Sequence, residues 1–150
     1  MVYTNAEEAV NLYTSLFKES NVTKIVRYPD SGPGPAGAIM TIEFELFGQQ
    51  FIALNGGPRF QFNESVSFVV NCDTQEEIDK YWNALLEGGK AQQCGWLKDK
   101  FGLSWQIVPS ALGKYMADSN KERSQRVFHA MMKMVKFDIA VLQRAYEGQS

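Results

Sequence analysis

Few residues in this sequence have the type and spacing that chemistry needs. Glu43 and Glu45 stand two apart in the run Met40-Thr41-Ile42-Glu43-Phe44-Glu45-Leu46. On an extended strand, residues two apart share a face, so both carboxylates lie on the side of Thr41. Such a pair can serve as general acid and base, and a half-solvated sheet face accounts for it equally well. Cys94 precedes Gly95 and Trp96 in what reads as a strand. A reactive thiol needs a cation or a helix N-terminus beside it, and the flanking sequence offers neither. His129 is the one histidine and falls on a helical stretch near the C-terminal end. It reaches Cys94 only if that stretch folds back, and an exposed helix histidine is the plainer reading.

Composition narrows the classes of function. The chain has 150 residues, 45% of them hydrophobic and 21% charged, with a net charge of −2. That balance suits one globular domain and gives no electrostatic footprint for nucleic acid or an anionic membrane. No apolar run has the length of a membrane span. The opening Met1-Val2-Tyr3-Thr4-Asn5 lacks the basic and apolar regions of a signal peptide, so the cytoplasm is the expected compartment. Cys72 and Cys94 are far apart and neither sits in a CxxC pair. Two reduced thiols are expected, rather than a disulfide framework or a zinc knuckle.

The elements that must position these residues follow from periodicity. Asn5 is a cap with Glu8 three residues on. Behind it, Ala9, Leu12, Tyr13, Leu16 and Phe17 form one helical stripe. Strands are expected from Val22 to Tyr28, from Ala38 to Phe47 and from Phe51 to Asn55, with a Pro/Gly loop after Tyr28. The order then restarts. Ser65 to Asn71 reads as a strand, and Thr74 with Glu77 as a capping box. Ile78, Tyr81, Trp82, Leu85 and Leu86 make a second stripe. Ala91 to Cys94, Trp96 to Asp99 and Leu103 to Val108 read as three short strands.

The two helices match position by position at an offset of 69, Asn5 with Thr74 through Phe17 with Leu86. The turn glycines Gly48 and Gly102 match at an offset of 54. The second module is therefore shorter, and the loop after Tyr28 is the natural place for the loss. In the first module only Met1 to Thr4 precede the helix, so its leading strand is short or begins upstream. The fold class is α+β, two βαβββ modules forming a curved mixed sheet or half-barrels, with C-terminal helices. Module one spans 1–58, module two 63–109 and a helical tail 110–150, within one domain. In the tail, Ser110 to Ala117 forms a short helix, and Ser119-Asn120-Lys121-Glu122 is a further capping box. Val127, Met131, Met134 and Val135 make a stripe, and Asp138 caps a last helix with Ile139, Leu142 and Tyr146. The tail either covers a sheet edge or pocket mouth or makes a dimer contact through its Met-rich face.

Three stretches carry a resemblance. They are Asn5-Ala6-Glu7-Glu8-Ala9 with Tyr13-Thr14-Ser15-Leu16-Phe17, then Phe68-Val69-Val70-Asn71-Cys72-Asp73-Thr74-Gln75-Glu76-Glu77, and the long run from Gln92-Gln93-Cys94-Gly95-Trp96 to Gln106-Ile107-Val108-Pro109. The chain resembles the PhnB-like family of the glyoxalase/bleomycin-resistance/dihydroxybiphenyl-dioxygenase superfamily, over roughly residues 1 to 147. Members are often labelled 3-demethylubiquinone-9 3-methyltransferase. The sequence has no Gly-rich turn after a first strand and no βαβ pattern for a nucleotide cofactor. The resemblance implies half-barrels with a cup between them, in which superfamily enzymes bind a divalent metal through His, Glu or Gln.

Residue by residue, the implied ligand places are poorly filled. Gln106 stands where the superfamily has a final glutamate, and Ile52 stands at the corresponding place in module one. Ser65 and Ser67 are what the strand that would carry a histidine offers, and the first strand offers Val2 and Tyr3. A divalent site wants several hard or imidazole donors converging, so no metal and no other cofactor is expected. Pocket candidates in module one are Thr41, Glu43, Asn55, Arg59 and Phe60. In module two they are Ser67, Gln92, Cys94, Trp96, Trp105 and Gln106. Phe62 also lies near the implied cup, and any of these aromatics can equally be plain core. The expected function is binding of a small molecule, by a homodimer. The alternatives are a metal-dependent lyase or dioxygenase, a methyltransferase as the label says, or a purely structural dimer. The residues do not assign a reaction.

Overall fold

A computed structural model describes residues 1–149. The chain divides into two compact units, Met1–Gln61 and a second beginning at Phe62.

The first unit runs β1 (Val2–Tyr3), α1 (Ala6–Leu16), β2 (Asn21–Arg27), β3 (Ile39–Leu46), β4 (Gln49–Asn55), closed by a 3-10 turn at Gly57–Arg59. Its sheet order is β1-β4-β3-β2. β1 is parallel to β4, Val2 opposite Leu54, and the other pairs are antiparallel. The short leading strand is held at both ends, at the far one by Gly56 N–H donating to Tyr3 O at 3.1 Å. The Met1 amino group donates to the Ile52 carbonyl at 2.8 Å, and Leu54 N–H donates to Met1 O at 2.9 Å. Burial holds that amino group's pKa below its usual value. Asn5 caps α1, accepting from Glu8 N–H at 3.2 Å. Ala9, Tyr13, Leu16 and Phe17 of the expected stripe are buried, with Ala6 and Val10 added and Leu12 half-buried. They meet Ile42, Phe44, Leu46 and Ala53, the alternate residues of β3 and β4. Each large side chain so buried contributes about 1.5–3 kcal/mol.

The second unit repeats the scheme: β5 (Ser67–Cys72), α2 (Gln75–Leu86), β6 (Lys90–Ala91), β7 (Trp96–Lys98), β8 (Ser104–Pro109). Its order, β5-β8-β7-β6, is the first sheet's order over again, with the leading strand parallel to the last. The duplication therefore extends to strand pairing. Thr74 accepts from Glu77 N–H at 3.2 Å, while the Glu77 carboxylate reaches back to Asp73 N–H at 2.9 Å. Ile78, Tyr81, Trp82 and Leu85 pack with Leu97, Trp105 and Ile107.

The loss in module two is not confined to the loop. That loop shortens from residues 28–38 to 92–95, but β2 has seven residues and β6 two. Residues 92–94 also leave the expected strand. Cys94 has φ +57 and Gly95 φ +78, a left-handed turn that no strand contains. The turn presents Cys94 N–H and Gly95 N–H to the carbonyls of Met134 and Val135, at 2.8 and 2.7 Å. These bonds tie the turn to the tail segment.

The tail forms α3 (Ser110–Met116), α4 (Lys121–Met131) and α5 (Ile139–Glu147). Asp138 caps α5 as expected, whereas the cap of α4 is Asn120, one residue after the Ser119 that the expected capping box requires; its Oδ1 accepts from Glu122 and Arg123 N–H. The stripe proposed through Val135 is interrupted. α4 ends at Met131, so Met134 and Val135 lie beyond it, where their carbonyls serve the turn at Cys94. Gln75 fastens the same segment from α2, donating to Phe137 O at 3.1 Å and accepting from Ile139 N–H at 2.9 Å. Lys136 adds an ion pair to Asp79 at 2.6 Å, which holds that carboxyl below its usual pKa.

Candidate functional site

Each sheet has one face buried under its helix and one face without a helix. In the first sheet the register places Thr41 opposite Leu54, Glu43 opposite Ile52 and Glu45 opposite Gln50 on the helix-free face. A cavity of about 290 Å³ lies there, lined by Thr23, Glu43, Phe44, Gln50, Phe51 and Ile52. Ile52 is 55% exposed, an apolar patch among polar neighbours. Glu43 and Glu45 share this face as the alternation requires, but they have separate partners. Lys24 Nζ lies 3.5 Å from Glu43, and Gln50 Nε2 donates to Glu45 at 3.5 Å.

Asn55 is occupied elsewhere. Its Oδ1 accepts from Ala6 N–H at 2.7 Å, its Nδ2 donates to Ile39 O at 2.9 Å, and its carbonyl accepts from the Tyr28 hydroxyl at 3.1 Å. It joins α1, β3 and the loop after β2. Arg59 and Phe60 are exposed at the end of the first unit, the guanidinium 5.6 Å from the ring centroid.

The second sheet brings Ser67, Trp96 and Gln106 together. Gln106 faces Trp96 across β7–β8, and its Nε2 donates to Ser67 Oγ at 2.9 Å across β5–β8. Lys98 and Ser104 share that face, opposite one another in register. Gln92 joins through Glu64, whose Oε1 accepts from Gln92 Nε2 at 3.1 Å and from Lys98 Nζ at 2.6 Å. Lys98, Ser104 and Glu64 are absent from the residues picked out by sequence. Alternation back from Gln106 gives Ser104, and alternation forward from Trp96 gives Lys98. Glu64 lies before β5 on a segment with no period to read.

Trp105 and Cys94 point away from this face. Trp105 is buried on the helix side, and its Nε1 donates to Asp99 Oδ2 at 2.9 Å. Asp99 Oδ1 also accepts from Phe101 N–H and Leu103 N–H, which ties the β7–β8 turn. The Cys94 thiol faces the C-terminal end of α4, with Met131 O at 3.7 Å and Met132 Sδ at 3.8 Å. His129 is exposed, with its ring beside Phe128.

The donors at the implied ligand places do not fit a divalent metal. Gln106 offers one amide oxygen, Ser67 a hydroxyl already accepting from that amide, Ser65 a hydroxyl bonded to Asn63, Tyr3 a phenol bonded to Met1 Sδ, and Ile52 and Val2 no donor. Divalent ions of this chemistry select imidazole, carboxylate or thiolate sets. Among the described residues no group of three or more His, Cys, Asp or Glu converges.

The model of a family described as 3-demethylubiquinone-9 3-methyltransferase matches residues 1–108. The chain belongs to this family. It is the PhnB-like family that the sequence resembles, and the paired βαβββ units are the arrangement that resemblance implied. A putative 3-demethylubiquinone-9 3-methyltransferase, PhnB protein, from Bacillus cereus is 36% identical, with TM-score 0.68 over 73% of this chain and 95% of that one. A Pseudomonas aeruginosa protein has the same fold at 23% identity and TM-score 0.60, over 73% of this chain and 92% of its own. No curated protein matches. The family match stops at Val108, so α3, α4 and α5 lie outside it.

Proposed function

We propose that this PhnB-like chain binds a small organic molecule on the helix-free faces of its sheets, without the superfamily's divalent metal. The observation that carries this reading is the cavity over β3 and β4. It is an open groove in which the exposed Ile52 stands beside polar groups at Glu43, Gln50 and Thr23, a mixture of apolar and polar surface that a small ligand can use. The donor set around Gln106 supports the metal-free part. A fragment screen by ligand-observed NMR tests the reading. Bound fragments are expected to be displaced or weakened in Ile52→Glu. Equal binding to that variant, or no binding at all, contradicts it.

The methyltransferase description is the second reading, favoured by the family's printed name. Against it, the β1–α1 link is Thr4-Asn5, with no glycine to allow a cofactor close to the backbone. The Ala6 and Glu8 amides at the start of α1 are already taken, by Asn55 and Asn5. Calorimetry with S-adenosylmethionine decides between the readings, and the account expects no heat of binding. Two free cysteines suit a reducing compartment, and no helix among the described residues is long and apolar enough to cross a membrane. We place the chain in the cytoplasm as a homodimer. Exposed Phe128, Met132 and Val135 of the tail support association, and light scattering on the purified chain tests it.

A further inference from the structure

The helix-free face of the second sheet contains a buried group with nothing to bond to. Ser104 is 0% exposed, and its hydroxyl has no hydrogen-bond partner among the described residues. Buried hydroxyls are as a rule paired, and each exception asks for a cause. Register fixes the neighbours of Ser104. Lys98 stands opposite it on β7 and Ser67 opposite it on β5. Ser67 is engaged with Gln106. Trp96, half-buried, lies in the next row of the same face.

Beside this row sits a carboxylate from a segment with no helix or strand. Glu64 accepts from Lys98 and Gln92, and half of its side chain is exposed. It follows Asn63, whose Oδ1 accepts from Ser65 N–H at 3.0 Å in a tight turn. The hydrogen bond from Lys98, before all other causes, holds the Glu64 carboxyl below the usual carboxylate range. So exposed an ion pair exchanges readily for water or another anion.

We propose that Lys98, Gln92 and Ser104 form a subsite for the carboxylate of a small ligand, and that Glu64 holds its Lys98 and Gln92 donors when the ligand is absent. The proposal rests on the reading of the helix-free faces as ligand-binding surfaces. Lys98 supplies the charge, Gln92 an amide N–H, and Ser104 a hydroxyl donor not committed elsewhere. Trp96 offers an aromatic wall to the body of the ligand, which favours arenecarboxylates. The incoming carboxylate replaces that of Glu64, which moves into solvent. The subsite then keeps one cation and one anion throughout.

The test uses the full chain, with benzoate as probe and benzamide as its uncharged counterpart, measured by calorimetry. Benzoate is expected to bind and benzamide not. Glu64→Gln removes the competing carboxylate and is expected to tighten benzoate by about tenfold, the scale of one charge-assisted hydrogen bond. Lys98→Met is expected to abolish binding and Lys98→Arg to restore part of it. Ser104→Ala is expected to weaken benzoate several-fold with the melting temperature unchanged, whereas a purely structural serine would change the melting temperature and not the affinity. Equal binding of benzamide and benzoate, or no tightening in Glu64→Gln, overturns the subsite. If uncharged fragments still bind at the first sheet in that case, the broader reading survives it. The Glu64→Gln arm stays decisive even if Lys98→Met fails to fold.

Discussion

Gln106 donates its side-chain amide to the Ser67 hydroxyl at 2.9 Å, so the residue at the ligand place implied by the resemblance is hydrogen-bonded to its neighbouring strand. The bond spans the parallel pair β5–β8, the pair that repeats β1–β4 of the first unit. An amide with one face engaged is suited to orient a ligand by hydrogen bonding and is a weak donor to a divalent ion. This supports the metal-free reading proposed above.

Gly95 has little room to change. It has φ +78, and a Cβ there would stand 2.7 Å from Phe137 Cδ2 and 2.8 Å from Ile107 O. Phe137 is buried, and Gly95 N–H is bonded to Val135. Gly95→Ala is expected to cost about 2–4 kcal/mol, from left-handed strain and overpacking together. Urea denaturation measures the loss. Hydrogen exchange is expected to show it first in residues 132–139.

Asn55 is expected to act on stability rather than on ligand affinity. Asn55→Ala removes an acceptor from the first amide of α1 and a donor from Ile39 O. A loss of about 2–3 kcal/mol is expected, since both backbone groups lose their partners at once. Asn55→Asp keeps the acceptor at the helix N-terminus and is expected to lose less. Thermal melts of the two variants against the parent check the order.

The fold was legible because its period signals were strong and came twice. The stripes from Ala9 to Phe17 and from Ile78 to Leu86, each behind an oxygen-bearing cap, left little choice for α1 and α2. The run Ile39–Leu46 alternates so regularly that the shared face of Glu43 and Glu45 followed directly. What could not be read was set by tertiary structure. Cys94 sits in a stretch that suits a strand, yet it turns left-handed, where it and Gly95 bond to main-chain groups of Met134 and Val135, far along the chain. On the candidate face of the second sheet, Ser67, Gln92, Trp96 and Gln106 stood out in the sequence by kind and resemblance. Ser104 and Lys98 were within reach of the same alternation, but a lone serine and lysine do not announce themselves. Glu64 depends on the path of an irregular segment, which no local pattern specifies.

Cys72 gives the chain a pH dependence on the alkaline side. Burial first, then the nearby Glu77 and Asp73 carboxylates, raise its thiol from 9.0 to about 11. The folded pKa lies above the unfolded one, so this contribution is fully present below pH 9 and is lost as the pH rises through about 11. Stability measured by urea melts is expected to fall by roughly 1–3 kcal/mol across that window. Cys72→Ala or Cys72→Val is expected to flatten the fall. In the native protein a thiol reagent is expected to modify the half-exposed Cys94 and to reach Cys72 only after unfolding.

The most direct test of the central claim is the metal content of the purified full chain, measured by inductively coupled plasma mass spectrometry. The protein is first dialysed against manganese, iron, nickel or zinc and then against buffer. The account predicts no stoichiometric ion in any arm, with the parent and Gln106→Ala indistinguishable. One divalent ion per chain in the parent, lost in Gln106→Ala, would contradict it.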